Sequence, residues 1–449
     1  MLIEDLGGGP QLPRTIAVVG SGIAGLAAAW LLSRRHRVTL YEEAARPGGH
    51  SNTVTVESPR GPVAVDTGFI VYNERNYPNL TALLAHLEVP SDASDMSFAA
   101  SLDGGRVEYS SGGLAGLIGH PGNLVRPGYW LMLRDIVRFY REAPQAVVVE
   151  GETLGAYLDA NGYTPSFIEE HLLPMGAAIW STTAREMRAY PFASFVRFFA
   201  SHGLLELVNR PKWRTVRGGS RSYVAAMLRD IAEVQLATPV GAIVRRPSGG
   251  VEIFDRLGRG RVFDNVVIAA HADQALAMLA DPDADERRLL GAFAYTDNLA
   301  VLHSDPALMP RRRHVWASWN YIGQRDSDED RQFCVTYWMN RLQNLDPSQE
   351  LFVTLNPTRP VAAGRLHQAI GYTHPLFDQR AIAAQQQLWR LQGRRNTWFA
   401  GSYFGHGFHE DALQAGLAAA ELAGGVRRPW TVAGESDRIT LTPLLEAAA

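Results

Sequence analysis

Residues 15–33 read TIAVVGSGIAGLAAAWLLS, and this stretch decides the fold. The β-branched run 15–19 reads as a buried strand, Gly20-Ser21-Gly22-Ile23-Ala24-Gly25 as a tight turn, and the Ala/Leu-rich residues 26–33 as a helix. A second short strand, 38–41, ends at Glu42, 17 positions after Gly25. A G-x-G-x-x-G alone is weak evidence, but this one follows a strand, opens a helix and meets an acidic residue at the expected distance. Each part has a mechanical reason. Gly20 permits the turn, Gly22 lets backbone N–H groups approach a pyrophosphate, and Gly25 lets helix and strand pack closely. The helix N-terminus attracts the phosphates, and Glu42 holds ribose hydroxyls.

Working outward, Arg46-Pro47-Gly48-Gly49-His50-Ser51 follows the second strand, and residues 63–71 read VAVDTGFIV. A nicotinamide dehydrogenase runs from its second strand into another crossover helix. A glycine pair and an irregular stretch suit a chain that passes along a longer bound cofactor, so FAD is favoured over NAD.

Composition narrows the function classes. The 449 residues are 46% hydrophobic and 20% charged, ordinary for a folded chain with a large core. Lys plus Arg total 43 against 46 Asp plus Glu, a net charge of -3, which leaves no electrostatic footprint for nucleic acid. Lys212 is the only lysine and Cys334 the only cysteine, so an intrachain disulfide is excluded and a reducing compartment is expected. The N-terminal residues resemble no signal peptide, and no apolar run spans a bilayer. A cytoplasmic protein is expected, with any membrane contact peripheral at the inner face. No His/Cys/Asp spacing suggests a metal site.

The expected fold class is α/β: a Rossmann-like FAD-binding domain with an inserted α+β substrate domain. The FAD domain is expected over 14–75, 215–275 and 393–427, the substrate domain over 76–214 and 276–392, and tails at 1–13 and 428–449. From about residue 77 long amphipathic helical patterns run to 213. Strands are expected at 235–245, 251–254 and 261–269, and a closing strand and helix at 397–401 and 411–423.

In their order these motifs resemble the flavin-containing amine oxidase superfamily, which includes phytoene desaturases and protoporphyrinogen oxidases and has a glutathione-reductase-like architecture. The resemblance rests on the Gly20 motif, Gly48-Gly49, Asp66-Thr67-Gly68, Arg217-Gly218-Gly219, Pro239-Val240, and the closing Phe399-Ala400-Gly401 with 411–416, DALQAG. It implies that FAD is bound by residues 20–25, by Glu42 and Glu43, by Gly48, Gly49, His50 and Ser51, and by Gly68, Phe69 and Ile70. It further implies adenine on the Val240 backbone, and the flavin's pyrimidine end at Gly401, Ser402 and the helix start Asp411-Ala412-Leu413. A helix dipole there stabilises reduced flavin. His50 stands where the family usually has arginine, and Ser402 where an acid is common. The stretch 298–303, NLAVLH, has no lysine of the kind many amine oxidases place there, and of the family's amine-cage aromatics only Phe408 is apparent.

A narrower resemblance covers 66–74 (DTGFIVYNE), 175–181 (MGAAIWS), 316–321 (WASWNY), 335–342 (VTYWMNRL) and 404–411 (FGHGFHED). These segments are similar to bacterial FAD proteins associated with cyclopropane-fatty-acyl-synthase-like methyltransferases, including the furan fatty acid pathway desaturase. The resemblance implies oxidation of the CH–CH group of a long-chain or methyl-branched fatty acyl substrate, with hydride passing from an allylic carbon to flavin N5, and a lipid methyltransferase as partner. The alternatives are a flavin amine oxidase producing hydrogen peroxide and a non-catalytic FAD-binding partner of the methyltransferase.

Phe195, Phe198, Phe199, Leu204, Leu205, Trp180, Trp316 and Trp319 together offer apolar surface for a lipid pocket, although each alone reads as ordinary core. For acid and base chemistry the candidates are His406, His409 and Tyr337, with His374 and Glu410 behind them, since histidine titrates near neutrality. Residues 126–141, RPGYWLMLRDIVRFYR, alternate apolar side chains with arginines. That pattern reads first as a helix packed on the core with solvated arginines, and second as a face for an anionic bilayer.

Overall fold

The computed structural model describes residues 12–147, 149, 151–180, 183–206, 210–325 and 331–441. The chain divides into two compact units. One comprises Met1–Gly49, Tyr223–Ala292 and Ala384–Ala449; the other comprises His50–Ser222 and Phe293–Ala383.

The first unit is built on a five-stranded parallel sheet in the order Glu233–Gln235, Arg37–Tyr41, Thr15–Val19, Asn265–Ile268, Thr397–Phe399. Ile16, Ala17 and Val18 are fully buried, the continuous apolar pattern of a strand covered on both faces. The helix Ile23–Leu32 is buried along its whole length, so it carries no polar face. It packs on the last helix, His409–Gly424, with almost no side chain between: a Cβ on Gly416 would sit 2.2 Å from the Ala24 carbonyl oxygen. An antiparallel meander, Val240–Arg245, Val251–Asp255 and Gly260–Phe263, completes the unit. The single strand expected over 235–245 is thus two elements, one at the parallel sheet's edge and one in the meander.

The second unit holds a seven-stranded mixed sheet in the order Leu366–Leu376, Ala294–His303, Phe352–Leu355, Arg331–Trp338, Trp319–Arg325, Phe98–Leu102, Val107–Ser110. The hairpin Thr53–Val56/Val63–Asp66 contributes Val56 and Val65 to a core shared with Leu302, Val353 and Leu355 of that sheet. Helices occupy much of residues 114–201. Among the described residues no helix is long and apolar enough to cross a membrane.

The unit boundaries depart from the expected domain limits for identifiable reasons. Residues 50–75 fall in the second unit because their hairpin packs on its sheet, and 215–222 follow because Trp213–Val216 pairs with Tyr72–Asn73 and Ser91–Ala93. Residues 276–292 fall in the first unit, where the helix Ala284–Leu290 is tied to Arg245: Glu286 receives the guanidinium at 2.5 Å with both side chains buried. The expected tail beyond 428 is packed as far as Ile439. Arg428 is buried against Glu421, Trp430 stacks on Trp30 at 5.9 Å, and Ile439 is buried. The remaining tail residues, 1–11 and 442–449, lie outside the described residues, as does Ser181.

Candidate functional site

In the first unit the glycine turn has the geometry that its spacing predicts. Gly20 has φ +99°, and a Cβ on it would meet the Ala269 carbonyl oxygen at 2.5 Å; a Cβ on Gly25 would lie 1.8 Å from the Gly20 oxygen. Both glycines are therefore required by strand-to-helix packing. Gly22 differs: nothing lies within 4 Å of its would-be Cβ, so the turn is open where backbone N–H groups face outward at the helix start. Gly49, at φ +56°, closes the far side, with its would-be Cβ 3.1 Å from Gly22 Cα. The Gly48 N–H donates to the Ser21 carbonyl and hydroxyl, both at 3.1 Å.

Glu42 stands at the end of the second strand. Its Oε2 accepts from the Ser21 N–H at 2.8 Å and the Ser21 hydroxyl at 2.5 Å, and its Oε1 accepts from the Ala44 N–H at 2.8 Å. The carboxylate is thus held at the lip of the turn. Glu43 points elsewhere: it is exposed and paired with Arg256 at 3.1 Å, so its side chain serves the surface rather than the cradle it was expected to line. Sequence reasoning passed over Arg46. Its Nη1 is shut off from solvent and has no hydrogen-bond partner among the described residues, two positions before Gly48. A sequestered guanidinium nitrogen beside an amide-lined turn fits a phosphate, the planar anion-binding chemistry for which arginine is suited. The dinucleotide of FAD therefore fits the residues present. The signal in the sequence was the charge immediately preceding Pro47-Gly48-Gly49.

The last helix begins behind Gly401 and Ser402. Asp411 is fully buried, and its Oδ2 accepts from the N–H groups of His406 at 3.0 Å and Phe408 at 2.7 Å, while Arg438 lies 3.3 Å from Oδ1. Its side chain builds the loop at the helix start; Ala412 and Leu413 are buried within the helix itself. Val240 is buried at the start of the meander, next to a bulge.

His409 is a different group from the proton acceptor expected. It is buried, its Nε2 lies 2.8 Å from the Tyr223 hydroxyl, and burial pushes its pKa down to about 3. The imidazole is neutral at physiological pH and a poor base. His406 is half-buried in the loop before the helix. Glu410 is fully buried, with its Oε1 accepting from Gln414 at 3.1 Å.

The second unit carries the remaining expected positions. Gly68 is required by contact: a Cβ there would lie 2.3 Å from the His50 carbonyl oxygen, which also accepts from the Phe69 N–H at 2.8 Å. The His50 ring stacks on Tyr372 at 4.8 Å and lies 5.4 Å from His374. The Tyr372 hydroxyl receives Asn52 Nδ2 at 2.9 Å and lies 3.0 Å from Thr67 Oγ1. Asn298 Nδ2 is 3.1 Å from His374 Nδ1, while Asn356 donates to Asn298 Oδ1 at 2.8 Å. With the amide donating, His374 Nδ1 accepts and the ring proton sits on Nε2. Asp66, buried below this strip, accepts from Thr53 at 2.6 Å and from the Ser220 hydroxyl at 2.7 Å; burial pushes its pKa up to about 6 against these donors.

Beside the polar strip, one face of the seven-stranded sheet is an apolar wall. Tyr337 stands opposite Trp319 across paired strands, their rings edge to face at 4.8 Å. With Ile70, Met96, Trp213 and Ile370 they are partly exposed over the buried core. Burial raises the Tyr337 hydroxyl well above its ordinary range, so at neutral pH it donates and does not accept a proton. The expected lipid-pocket residues Phe195, Phe198, Phe199 and Trp180 are instead packed core: Phe195 stacks on Phe199 at 4.0 Å and Trp180 meets Phe198 at 4.7 Å, all four buried. Leu205 and Trp316 are buried too, so of that set Trp319 contributes to the partly exposed wall.

Residues 18–87 match the family model described as NAD(P)-binding Rossmann-like domain. Among solved structures, the chain is similar to a provisionally assigned protoporphyrinogen oxidase from Exiguobacterium sp. 255-15: TM-score 0.65, 15% identity, covering 92% of this chain and 98% of that one. A cyclohexylamine oxidase from Brevibacterium oxydans IH-35A aligns with TM-score 0.63, 14% identity and coverages of 92% and 99%. The fold is amine-oxidase-like. A CLA-producing fatty acid isomerase from P. acnes shares it at TM-score 0.61 and 16% identity, covering 91% of this chain and 97% of its own. No curated protein sequence matches the chain.

Proposed function

We propose that this amine-oxidase-like chain is an FAD-dependent oxidoreductase that oxidises the CH–CH group of a long-chain or methyl-branched fatty acyl substrate. The observation that carries the cofactor is the cradle of the first unit: an open turn at Gly22, a carboxylate fixed at Glu42, and the sequestered Nη1 of Arg46. When bound, FAD supplies the two-electron acceptor, a capacity no side chain has. The chain's own contribution is to orient the substrate, exclude water and handle protons.

The acyl substrate is supported by the wall of the second unit, where Trp319, Tyr337, Ile70 and Ile370 offer apolar contact. At the positions where an amine oxidase needs a group for a cation, the paired strands place neutral Asn298 and Ala300 opposite Tyr372 and Ile370. The shared fold with a fatty acid isomerase points the same way. His406 takes the role of proton acceptor, since burial removes His409 and Tyr337 from it.

The test is anaerobic mixing of the yellow protein with unsaturated fatty acids and, separately, with primary amines, followed by mass spectrometry of the products. Bleaching by lipid with loss of two hydrogens supports the proposal. Bleaching by amine alone replaces it with amine oxidation; no bleaching but an isomerised lipid replaces it with redox-neutral isomerisation, and neither bleaching nor altered product with a structural role for the flavin. A colourless protein that takes up no FAD on reconstitution overturns the cofactor itself.

A further inference from the structure

We propose that residues 114–141 form a docking surface for an anionic lipid bilayer. Eight of the seventeen large apolar side chains that stand exposed among the described residues fall within 114–137, led by Val125 at 83% and Leu114 at 80%. Scattered exposed apolar residues are ordinary, but a cluster this dense marks an interaction face.

The segment is one surface. The Trp130 indole N–H donates to the Leu124 carbonyl at 3.0 Å, Asn123 Nδ2 donates to the Ile118 carbonyl at 3.0 Å, and the Tyr129 hydroxyl donates to the Leu117 carbonyl. The helix Pro127–Glu142 is pinned from beneath. Tyr129, Met132, Asp135 and Phe139 are buried, and Asp135 accepts from the Thr164 N–H at 2.9 Å and hydroxyl at 2.7 Å. Trp130, Arg134, Val137 and Arg141, spaced four, three and four apart, therefore form an outward stripe, all four exposed.

Charge selects the occupant. Residues 111–142 contain four arginines, 126, 134, 138 and 141, against Asp135, whose carboxylate is fully buried, and Glu142. Arg126 pairs with Glu170, Arg134 with Asp135 and Arg138 with Glu142, and Arg134 and Arg141 are the two that stand exposed on the outward stripe. Exposed apolar side chains interleaved with the outward Arg134 and Arg141 suit acyl chains beneath anionic headgroups, the pattern of an in-plane amphipathic helix. This surface rests on exposure and charge alone, so it stands whichever substrate the protein oxidises.

The measurement is co-sedimentation of the full chain with vesicles of phosphatidylglycerol and phosphatidylcholine in equal parts, and with pure phosphatidylcholine. Binding to the anionic vesicles, weakened by salt and weak on pure phosphatidylcholine, is expected. Leu114→Glu/Val125→Glu should abolish it with unchanged melting temperature, and Arg141→Gln should weaken it about fivefold. Wild-type protein that fails to pellet with anionic vesicles overturns the proposal, as does equal binding to both vesicles that salt does not alter. A double variant that folds and binds as tightly as wild type also overturns it. So does a wild-type dimer in sedimentation, dissolved by the double variant, without vesicle binding; that result assigns the surface to a second copy of the chain.

Discussion

At Gly25 a methyl group would overlap the Gly20 carbonyl oxygen at 1.8 Å, and backbone on both sides leaves nothing to yield. Gly25→Ala is therefore expected to destabilise the first unit by about 4 kcal/mol or more, read as a large fall in melting temperature and loss of bound flavin. Arg46 separates binding from folding. Its Nη1 has no hydrogen-bond partner among the described residues, so Arg46→Met should leave the apoprotein's melting temperature unchanged while weakening FAD about tenfold in a fluorescence titration. His406→Gln should slow substrate-dependent flavin reduction by roughly a hundredfold with an unaltered resting spectrum. The glycines and Glu42 were legible in the sequence because their constraints are local. The fate of His409 was not, since its burial against Tyr223 depends on a residue 186 positions away.

Elements are held by contacts that the pattern along the chain does not display. Arg245 ends the first strand of the meander and is buried with Glu286, which also receives Arg395 at 3.0 Å; Asp281 adds a further bond at 2.9 Å. The network fixes the strand that begins at Val240. Arg245→Met leaves the Glu286 carboxylate buried with a weaker partner set and should cost about 3 kcal/mol in denaturant unfolding, part of which Arg245→Met/Glu286→Leu should restore. The aromatic wall shows the same limit. Trp319 and Tyr337 face one another through strand register, and Trp319 also pairs with Phe98, more than two hundred positions earlier. The phenylalanines of Phe192–Ser201 had the same composition, yet helical spacing turned them into core.

Three buried histidines govern the acid side of the whole molecule. Burial pushes His171 and His409 down to about 3 and His303 to about 4, below their ordinary value near 6.5. They stay neutral in the folded state while the unfolded chain takes up protons below about pH 6.5, so stability falls as pH falls through that window. Asp66 acts in reverse. Its folded pKa of about 6 makes the native state the better proton acceptor between about 6 and 4, which adds stability as pH falls there. Among these four groups, three against one leaves about two protons taken up on unfolding, a net loss of about 3 kcal/mol per pH unit near pH 5. Melting temperatures across pH 5 to 7.5 should show it, and His409→Gln should reduce the slope by about one proton.

The sequence by itself determined the strand, glycine turn and first helix, the Glu42 carboxylate at the lip of that turn, and hence a Rossmann-like fold, because sterics and hydrogen bonding within about thirty residues specify them. Tertiary structure alone decided which histidine is sequestered, which aromatics are wall and which are core, and where 50–75 belong. Those outcomes depend on desolvation and packing between segments hundreds of residues apart, and neither is a property of any local run.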